Sequence, residues 1–123
     1  MVKILVNGCT GRMGQEVIKA IDSDEDLVLL GGFDRVNTGE YAFPIYTNIN
    51  EIEEKPDVII DFSVPIATFK ILEYARKFHV PIVIATTGFD NEQLEKISDF
   101  SKDIPIFKSS NMSYDINLMV KLV

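Results

Sequence analysis

The sequence predicts an α/β protein in which helices cover both faces of a doubly wound parallel sheet. Short apolar runs alternate along the chain with longer segments whose apolar residues have helical spacing. A run that is apolar at every position is typical of a strand buried on both faces, as in a parallel sheet. Regular alternation of strands and helices implies right-handed crossover connections, which wind the sheet on both sides.

Five apolar runs have the length of strands and are too short for helices. They are rich in Val, Ile and Leu and lie at residues 2–6, 27–33, 57–62, 81–85 and 104–107. The polar, irregular segment 36–56 contains one more short strand at Ile45–Thr47, which we place at a sheet edge. Counted along the chain, the six strands are predicted to lie in the order 3-2-1-4-5-6.

Two segments between these strands have the apolar periodicity of helices. Met13, Val17 and Ile21 recur every four residues after the first strand. Residues 66–79 repeat a wider apolar stripe, formed by Phe69, Ile71, Leu72, Ala75 and Phe78. Both segments are therefore predicted to pack one face against the sheet.

Two further signals concern helix ends. Asp90 followed by Gln93 is typical of a capping box, and predicts that a third helix begins there. The last eleven residues, "SYDINLMVKLV", resemble the first turns of an amphipathic helix, yet they finish on Leu122 and Val123 without a stop signal. We therefore expect the chain to be part of a longer protein.

Composition excludes several classes of function. The 123 residues are 46% apolar and 25% charged, as in one soluble globular domain. A net charge of −7 argues against nucleic acid and anionic membranes as partners. The single cysteine cannot form an internal disulfide, which fits the cytoplasm. No pattern of His, Cys or Asp typical of a metal site is present, and no membrane span is predicted.

The first strand is followed by a glycine-rich stretch, "NGCTGRMG", at residues 7–14. Gly8 would permit a sharp turn, Gly11 would let a pyrophosphate approach the backbone, and Gly14 would let helix and strand pack closely. The N–H groups at the start of the helix would face the phosphates. The spacing G-x-x-G-x-x-G departs from the commonest dinucleotide fingerprint, and a plain turn is the alternative.

The end of the second strand supports a Rossmann-like dinucleotide site. Asp34 lies 20 positions after Gly14, where an acidic residue reads the adenosine ribose hydroxyls. The alternative is an ordinary surface Asp. Arg35 follows, and a guanidinium there can bind a 2′-phosphate. Asp34 favours NADH and Arg35 favours NADPH, so the pair predicts that either cofactor is tolerated.

Polar loops follow all the main strands: "GCTGRMG", "DR", "DFSVP", "ATTG" and "SSNMS". Ligands of open parallel sheets bind beyond the carboxyl ends of the strands. Turns alone would supply some Ser, Thr and Asn. Because the polar groups all follow the same ends of the strands, we favour a binding site at that edge.

Four motifs, "GRMG", "DFS.P", "TTGF" and "N.S..IN", together resemble dihydrodipicolinate reductase, an NAD(P)H-dependent enzyme of lysine and diaminopimelate biosynthesis. The resemblance covers all 123 residues in order. It implies a domain at 1–123 that binds NADH or NADPH through the glycine loop, the second strand end and the later loops. The implied cofactor-binding residues are Gly8, Cys9, Thr10, Gly11, Arg12, Met13, Asp34, Arg35, Phe62, Ser63, Ala85, Thr86, Thr87, Ser109, Ser110, Asn111 and Met112.

Within that set, the resemblance assigns Gly8–Met13 to the pyrophosphate, and Asp34 and Arg35 to the adenosine ribose. Residues 85–87 and 109–112 would lie along the nicotinamide half of the cofactor. Phe62 and Ser63 would line the part of the binding site that holds this half. The chain departs from the family at Ala85, where Gly is common, and at Asp115.

The family's catalytic segment, a His-His pair followed by Lys and an "SGT" loop, is not found in these 123 residues. The resemblance therefore implies that catalysis on the dicarboxylate substrate needs a downstream domain. It also implies that the full-length protein forms a homo-oligomer, whereas the 123 residues alone could be monomeric.

Two rival functions would share the glycine loop but explain fewer of the other residues. A short-chain or isomerase-like NAD(P) protein would share the glycine spacing, but such enzymes use a Tyr-x-x-x-Lys pair, and no Tyr here has Lys four residues later. A stand-alone nucleotide- or CoA-binding regulatory domain would need only the glycine loop.

Cys9, near a helix start, is either a small buried residue or a reactive thiol. His79, at the predicted helix end, is expected to be structural.

Overall fold

Six strands form one parallel sheet in the computed structural model, which describes residues 2–35, 39 and 41–108. The strands are β1 (Val2–Asn7), β2 (Leu27–Phe33), β3 (Ile45–Tyr46), β4 (Val58–Asp61), β5 (Ile82–Ile84) and β6 (Ile106–Lys108). Their order is β3-β2-β1-β4-β5-β6, with every pair of neighbours parallel. The predicted fold class and strand order are confirmed.

Three helices connect the strands: α1 (Arg12–Asp22), α2 (Pro65–Phe78) and α3 (Asn91–Phe100). Successive residues of a strand point to opposite faces, so the sheet has two separate apolar cores. Ile4 and Val6 pack with α1 on one face. Leu5 packs with α2 and α3 on the other. Helices therefore cover both faces, as the alternating pattern predicts.

The strand register aligns three carboxyl ends at the middle of the sheet. Asn7 of β1 is paired with Asp61 of β4, and Asp61 is paired with Ile84 of β5. Backbone hydrogen bonds continue just past these ends, from Phe62 N to Asn7 O at 2.9 Å and from Ala85 N to Asp61 O at 2.9 Å. The loops that leave β1, β4 and β5 thus start side by side.

Two expectations for the helix stripes are wrong. Met13 is 54% exposed, because it lies in the first turn of α1, beyond the end of β1, and Gly14 takes the buried position instead. Phe78 is 42% exposed, because it is the last residue of α2; its ring packs on Tyr74 with centroids 4.8 Å apart. The remaining residues of both stripes that face the sheet are buried or half-buried.

Helix and strand ends agree with the sequence to within two residues. The capping box at Asp90 and Gln93 is present in both directions. The sixth strand starts two residues later than expected, since Ile104 still belongs to the turn after α3, where its N–H donates to Phe100 O at 3.2 Å. The helix expected at 113–123 lies outside the described residues. In the part of the chain that the structure describes, no helix is long and apolar enough to cross a membrane.

Candidate functional site

The glycine loop between β1 and α1 is fixed by two close approaches of the backbone. Gly8 has φ +80°, and a Cβ there would lie 2.5 Å from the carbonyl oxygen of Phe62. A Cβ on Gly14 would lie 2.4 Å from the carbonyl oxygen of Gly8. Real Cβ contacts are longer, so both positions require glycine for the turn and for the seating of α1.

Gly11 is different, because the surrounding chain leaves room for a side chain. The nearest heavy atom to a Cβ on Gly11 is Gly8 O, at an ordinary 3.5 Å. Gly11 is the N-cap of α1, and its φ of −74° is open to any residue. Having no side chain, it leaves the first N–H groups of α1 without the acceptor that Ser or Asp would supply. Such a helix start can bind an anionic group.

Asp34, directly after β2, is tied to the glycine loop. Its Oδ2 accepts hydrogen bonds from Thr10 N at 3.0 Å and from Thr10 Oγ1 at 2.6 Å. Its Oδ1 accepts from Arg35 N at 2.8 Å. The Arg35 side chain is exposed, and no carboxylate among the described residues lies within ion-pair distance of it. Asp34 and Arg35 therefore lie side by side next to the glycine loop.

A cleft of about 540 Å³ joins the glycine loop to the loops after β2 and β4. This volume lies within the range of about 300–1,000 Å³ typical of small-molecule sites. It is lined by Asn7, Gly8, Thr10, Gly11, Phe33, Asp34, Arg35, Thr47, Phe62, Ser63, Val64, Ile66, Ala67 and Lys70. Seven of these are predicted cofactor residues: Gly8, Thr10, Gly11, Asp34, Arg35, Phe62 and Ser63.

A second hollow of about 430 Å³ lies between the 3₁₀ turn Ile49–Glu51 and the C-terminal half of α2. It is remote from the carboxyl ends of β1, β4 and β5, where ligands of such sheets bind. We therefore assign the candidate site to the larger cleft. Across the described ranges, no group of three or more His, Cys, Asp or Glu side chains could hold a metal ion.

Cys9 does not contribute its side chain to the cleft. It is fully buried, and a Cβ on Gly32 of β2 would lie 2.3 Å from its Sγ. Burial, with a smaller effect of the neighbouring Asp34 charge, raises the pKa of the Cys9 thiol to about 12. The thiol is thus a packing group under the loop, and only the backbone of Cys9 can face a ligand.

A buried carboxyl group at the end of β4 joins the loops at the middle of the sheet. Asp61 Oδ1 accepts hydrogen bonds from Asn7 Nδ2 at 2.9 Å and from the Oγ and N of Ser63 at 2.6 and 3.3 Å. Its Oδ2 accepts from Thr68 Oγ1 at 2.6 Å and from Thr86 Oγ1 at 2.8 Å. We refer to these five residues as the Asp61 network.

Five further predicted residues, Arg12, Met13, Ala85, Thr86 and Thr87, lie around the same edge but do not line the cleft. Arg12 and Met13 are exposed at the start of α1. After β5, Ala85 is half-buried and Thr87 is exposed. Thr86 is buried, and its hydroxyl donates to Asp61 Oδ2 and accepts from the N–H of Ser63 at 2.9 Å. The predicted residues Ser109, Ser110, Asn111 and Met112 lie outside the described residues.

Sequence reasoning missed Asp61 and several cleft residues. The signal for Asp61 is a carboxyl group in the last position of the otherwise apolar strand "VIID". Val64 and Ile66 line the cleft and are 57% and 73% exposed, but exposed apolar residues are common on protein surfaces, and nothing in the sequence distinguishes these two. Lys70 adds a second cation to the lining, but nothing in its position along α2 distinguishes it from a surface lysine.

Comparison with known families gives a consistent result along the chain. The family described as "Dihydrodipicolinate reductase, N-terminus" matches residues 2–112. The 4-hydroxy-tetrahydrodipicolinate reductase of Clostridium novyi (strain NT) is 39% identical over 97% of this chain and 47% of its own length. The 4-hydroxy-tetrahydrodipicolinate reductase of Caldanaerobacter subterraneus subsp. tengcongensis is 40% identical, and the match covers 100% of this chain and 49% of that protein's length. The chain thus spans about half the length of these curated relatives.

Solved structures show the same likeness. A dipicolinate-bound dihydrodipicolinate reductase from Paenisporosarcina sp. TG-14 superposes with a TM-score of 0.72 at 26% identity, covering 90% of this chain and 48% of that one. Homoserine dehydrogenase of S. aureus superposes with a TM-score of 0.74 at 17% identity, and the superposition covers 89% of this chain and 32% of that one. The second likeness concerns the fold alone.

Proposed function

The chain belongs to the family of the dihydrodipicolinate reductase N-terminus, and on this basis we propose that it is the NAD(P)H-binding domain of such a reductase. The reaction would convert the cyclic dihydrodipicolinate precursor to tetrahydrodipicolinate by hydride transfer. The observation that carries the proposal is the cleft in which the glycine loop meets Asp34 and Arg35. Family membership and the cleft are independent lines of support.

The residues of the cleft fit a dinucleotide. The open space at Gly11, beside the uncapped start of α1, suits a pyrophosphate that must approach the backbone closely. Asp34 is held by Thr10 in a position to accept hydrogen bonds from ribose hydroxyls. Arg35, with no ion-pair partner among the described residues, suits a 2′-phosphate. Residues 85–87 and 109–112 are proposed for the nicotinamide half.

NADH or NADPH, when bound, supplies the hydride. The part of this chain is to bind and orient the cofactor at the edge of the sheet, beside the loops after β4 and β5. We assign no residue of the chain to proton transfer or to the two carboxylates of the substrate, and propose that a further domain supplies both. A cytoplasmic location and a homo-oligomeric full-length protein belong to the same proposal.

The alternative of a stand-alone regulatory domain that binds a nucleotide or CoA is not favoured. It would require the glycine loop but would give no reason for Asp34 and Arg35 to line the same cleft. The curated relatives that match 97% and 100% of the chain are also reductases by name.

Calorimetric titration with NADH, NADPH, ADP-ribose and CoA tests the proposal. We expect NADH and NADPH to bind, ADP-ribose to compete with both, and CoA not to compete. Tighter binding of CoA than of either dinucleotide would favour the regulatory alternative. No binding of any of the four would refute the assignment of the cleft.

A further inference from the structure

The Asp61 network has a fixed direction at Thr86. The N–H of Ser63 donates to Thr86 Oγ1 at 2.9 Å, so this oxygen already serves as an acceptor. The hydroxyl proton of Thr86 is directed at Asp61 Oδ2, 2.8 Å away, which is its one acceptor among the described residues. Asp61 thereby sets the orientation of Thr86, and through it the place of the Ser63 backbone at the cleft wall.

Thr68, which donates to the same oxygen of Asp61, is not constrained in this way. Its Oγ1 lies 2.6 Å from Asp61 Oδ2, but also 3.3 Å from the carbonyl oxygen of Val64 in the preceding turn. The Thr68 hydroxyl can thus turn its proton to Val64 and accept a hydrogen bond instead. Thr68 Oγ1 also lies 3.3 Å from Ser63 Oγ, but the single hydroxyl proton of Ser63 is directed at Asp61 Oδ1 at 2.6 Å. The two threonines make equivalent bonds to Asp61, yet only the Thr68 hydroxyl has a second acceptor, Val64 O, among the described residues.

Asp61 itself does not line the cleft, whereas Asn7 and Ser63 do. Asn7 Nδ2 donates to Asp61 Oδ1, to Ser63 Oγ at 3.2 Å and to Ala67 O at 3.3 Å. The network therefore connects the ends of β1, β4 and β5 at the edge where Thr86 and its neighbours leave the sheet. Burying a carboxyl group costs free energy unless its partners are all in place, so loss of a partner should lower the stability of the fold.

We propose that Asp61 is a positioning residue for the cofactor: through Thr86 and Ser63 it holds the nicotinamide side of the site. This inference rests on the proposed function, because it assumes that the loop after β5 receives the nicotinamide half of NAD(P)H. It does not require Asp61 to touch the cofactor or the substrate.

Asp61→Asn is the sharpest variant, since it keeps the size of the side chain. With the amide oxygen toward Asn7 and Ser63, the amide nitrogen faces the two threonines and needs their hydroxyl oxygens as acceptors. Thr68 can then turn its proton to Val64 O, whereas the hydroxyl proton of Thr86 is left without an acceptor among the described residues. ADP-ribose lacks the nicotinamide and reports on the adenosine half alone. We expect NADH affinity to fall about tenfold, as for one lost hydrogen bond, while ADP-ribose affinity changes by less than about twofold.

Two threonine variants provide the matched comparison. Thr86→Val should lower the NADH-to-ADP-ribose affinity ratio as Asp61→Asn does, and the double variant should add little further, because both changes break one contact. Thr68→Val removes an equivalent bond to Asp61 and should leave the ratio at the wild-type value, even where thermal unfolding shows lower stability. Thr86→Ser, which restores the hydroxyl, should recover the ratio.

The inference is overturned if NADH and ADP-ribose affinities fall together, or if Thr68→Val changes the ratio as much as Thr86→Val. Should Asp61→Asn fail to fold, the comparison of Thr86→Val, Thr86→Ser and Thr68→Val decides the matter by the same ratio. Failure of the proposed function would give a different result, because the unaltered chain would then bind neither NADH nor ADP-ribose.

Discussion

At the scale of single residues, Arg35 is the side chain expected to distinguish NADPH from NADH. Its backbone N–H supports Asp34, but its guanidinium is exposed and without an ion pair among the described residues. Arg35→Ala should weaken NADPH by roughly ten- to a hundredfold, about 1.5–3 kcal/mol, because a charge-assisted contact to the 2′-phosphate is lost. NADH affinity, measured by the same titration, should stay nearly unchanged.

Arg12→Ala is the control for this variant. Arg12 is also exposed, but it lies at the start of α1 near the predicted pyrophosphate site, which both cofactors share. Its loss should affect NADH and NADPH alike. If Arg35→Ala lowered the affinities for NADH and NADPH equally, Arg35 would not be the residue that binds the 2′-phosphate.

Gly11 and Gly14 are expected to respond to alanine in opposite ways. At Gly11 the methyl group has room within the chain, so the free energy of unfolding should change by less than about 1 kcal/mol, while NADH affinity falls. At Gly14 the methyl group would lie 2.4 Å from Gly8 O, and overpacking should cost about 1–3 kcal/mol of stability. Urea unfolding and NADH titration separate the two effects. Wild-type NADH affinity in Gly11→Ala would contradict the pyrophosphate assignment.

Cys9 should be unreactive in the folded protein. Its pKa rises from an ordinary 9.0 to about 12, so the thiolate at pH 8 is about a thousandfold rarer than for a free thiol. Iodoacetamide labelling should therefore be slow in buffer and rapid in urea. Because the folded form keeps its proton, the thiol's contribution to stability is full below about pH 9 and is lost as the pH rises toward about 12. Rapid labelling of the native protein would contradict this.

At the scale of elements, α3 depends on its N-terminal cap. Asp90 Oδ1 accepts from Gln93 N at 2.8 Å, and Gln93 Oε1 accepts from Asp90 N at 2.9 Å. Asp90→Ala should lower the free energy of unfolding in urea by about 1 kcal/mol. Asn91→Ala, one residue along, is the matched control and should have a much smaller effect. NADH affinity should be unaffected in both, since α3 contributes no residue to the described cleft.

The elements were predictable from sequence because each one is encoded locally. Uniform apolar runs mark the buried strands, and the Asp90 box marks the start of α3. The exposure of Met13 and Phe78 was not predictable from periodicity, because it depends on where the sheet ends beneath each helix. Periodicity describes the face of a helix, whereas coverage depends on the length of the neighbouring strands.

The part of the candidate site that a sequence motif determines was predictable. The part that depends on the register between strands was not. The glycine loop, Asp34 and Arg35 follow from spacing along the chain. The Asp61 network depends on Asn7 and Asp61 being paired across two strands 54 positions apart in sequence. A carboxyl group at the end of an apolar strand marks Asp61 in the sequence, but no local pattern determines its pairing with Asn7, so its hydrogen-bond partners emerge only from the folded sheet.

At the scale of the whole molecule, cofactor binding and turnover are expected to separate. The chain spans about half the length of its curated relatives. Reduction of a cyclic dicarboxylate needs a proton donor and cationic groups that hold both carboxylates. The sole histidine, His79, caps the C-terminal end of α2, at the opposite end of that helix from the cleft residues Val64 and Ile66.

We therefore expect the 123-residue chain to bind NADPH yet not to oxidise it when dihydrodipicolinate precursor is added. Arg35 is assigned to the cofactor, and Lys70, the other cation lining the described cleft, cannot by itself hold two carboxylates. A protein extended through the second half that the relatives possess should turn over the substrate. NADPH oxidation, followed with freshly generated substrate at equal concentrations of both proteins, makes the comparison. Substantial turnover by the 123-residue chain would mean that proton donor and substrate groups lie within it, and that the division of labour proposed between two domains is wrong.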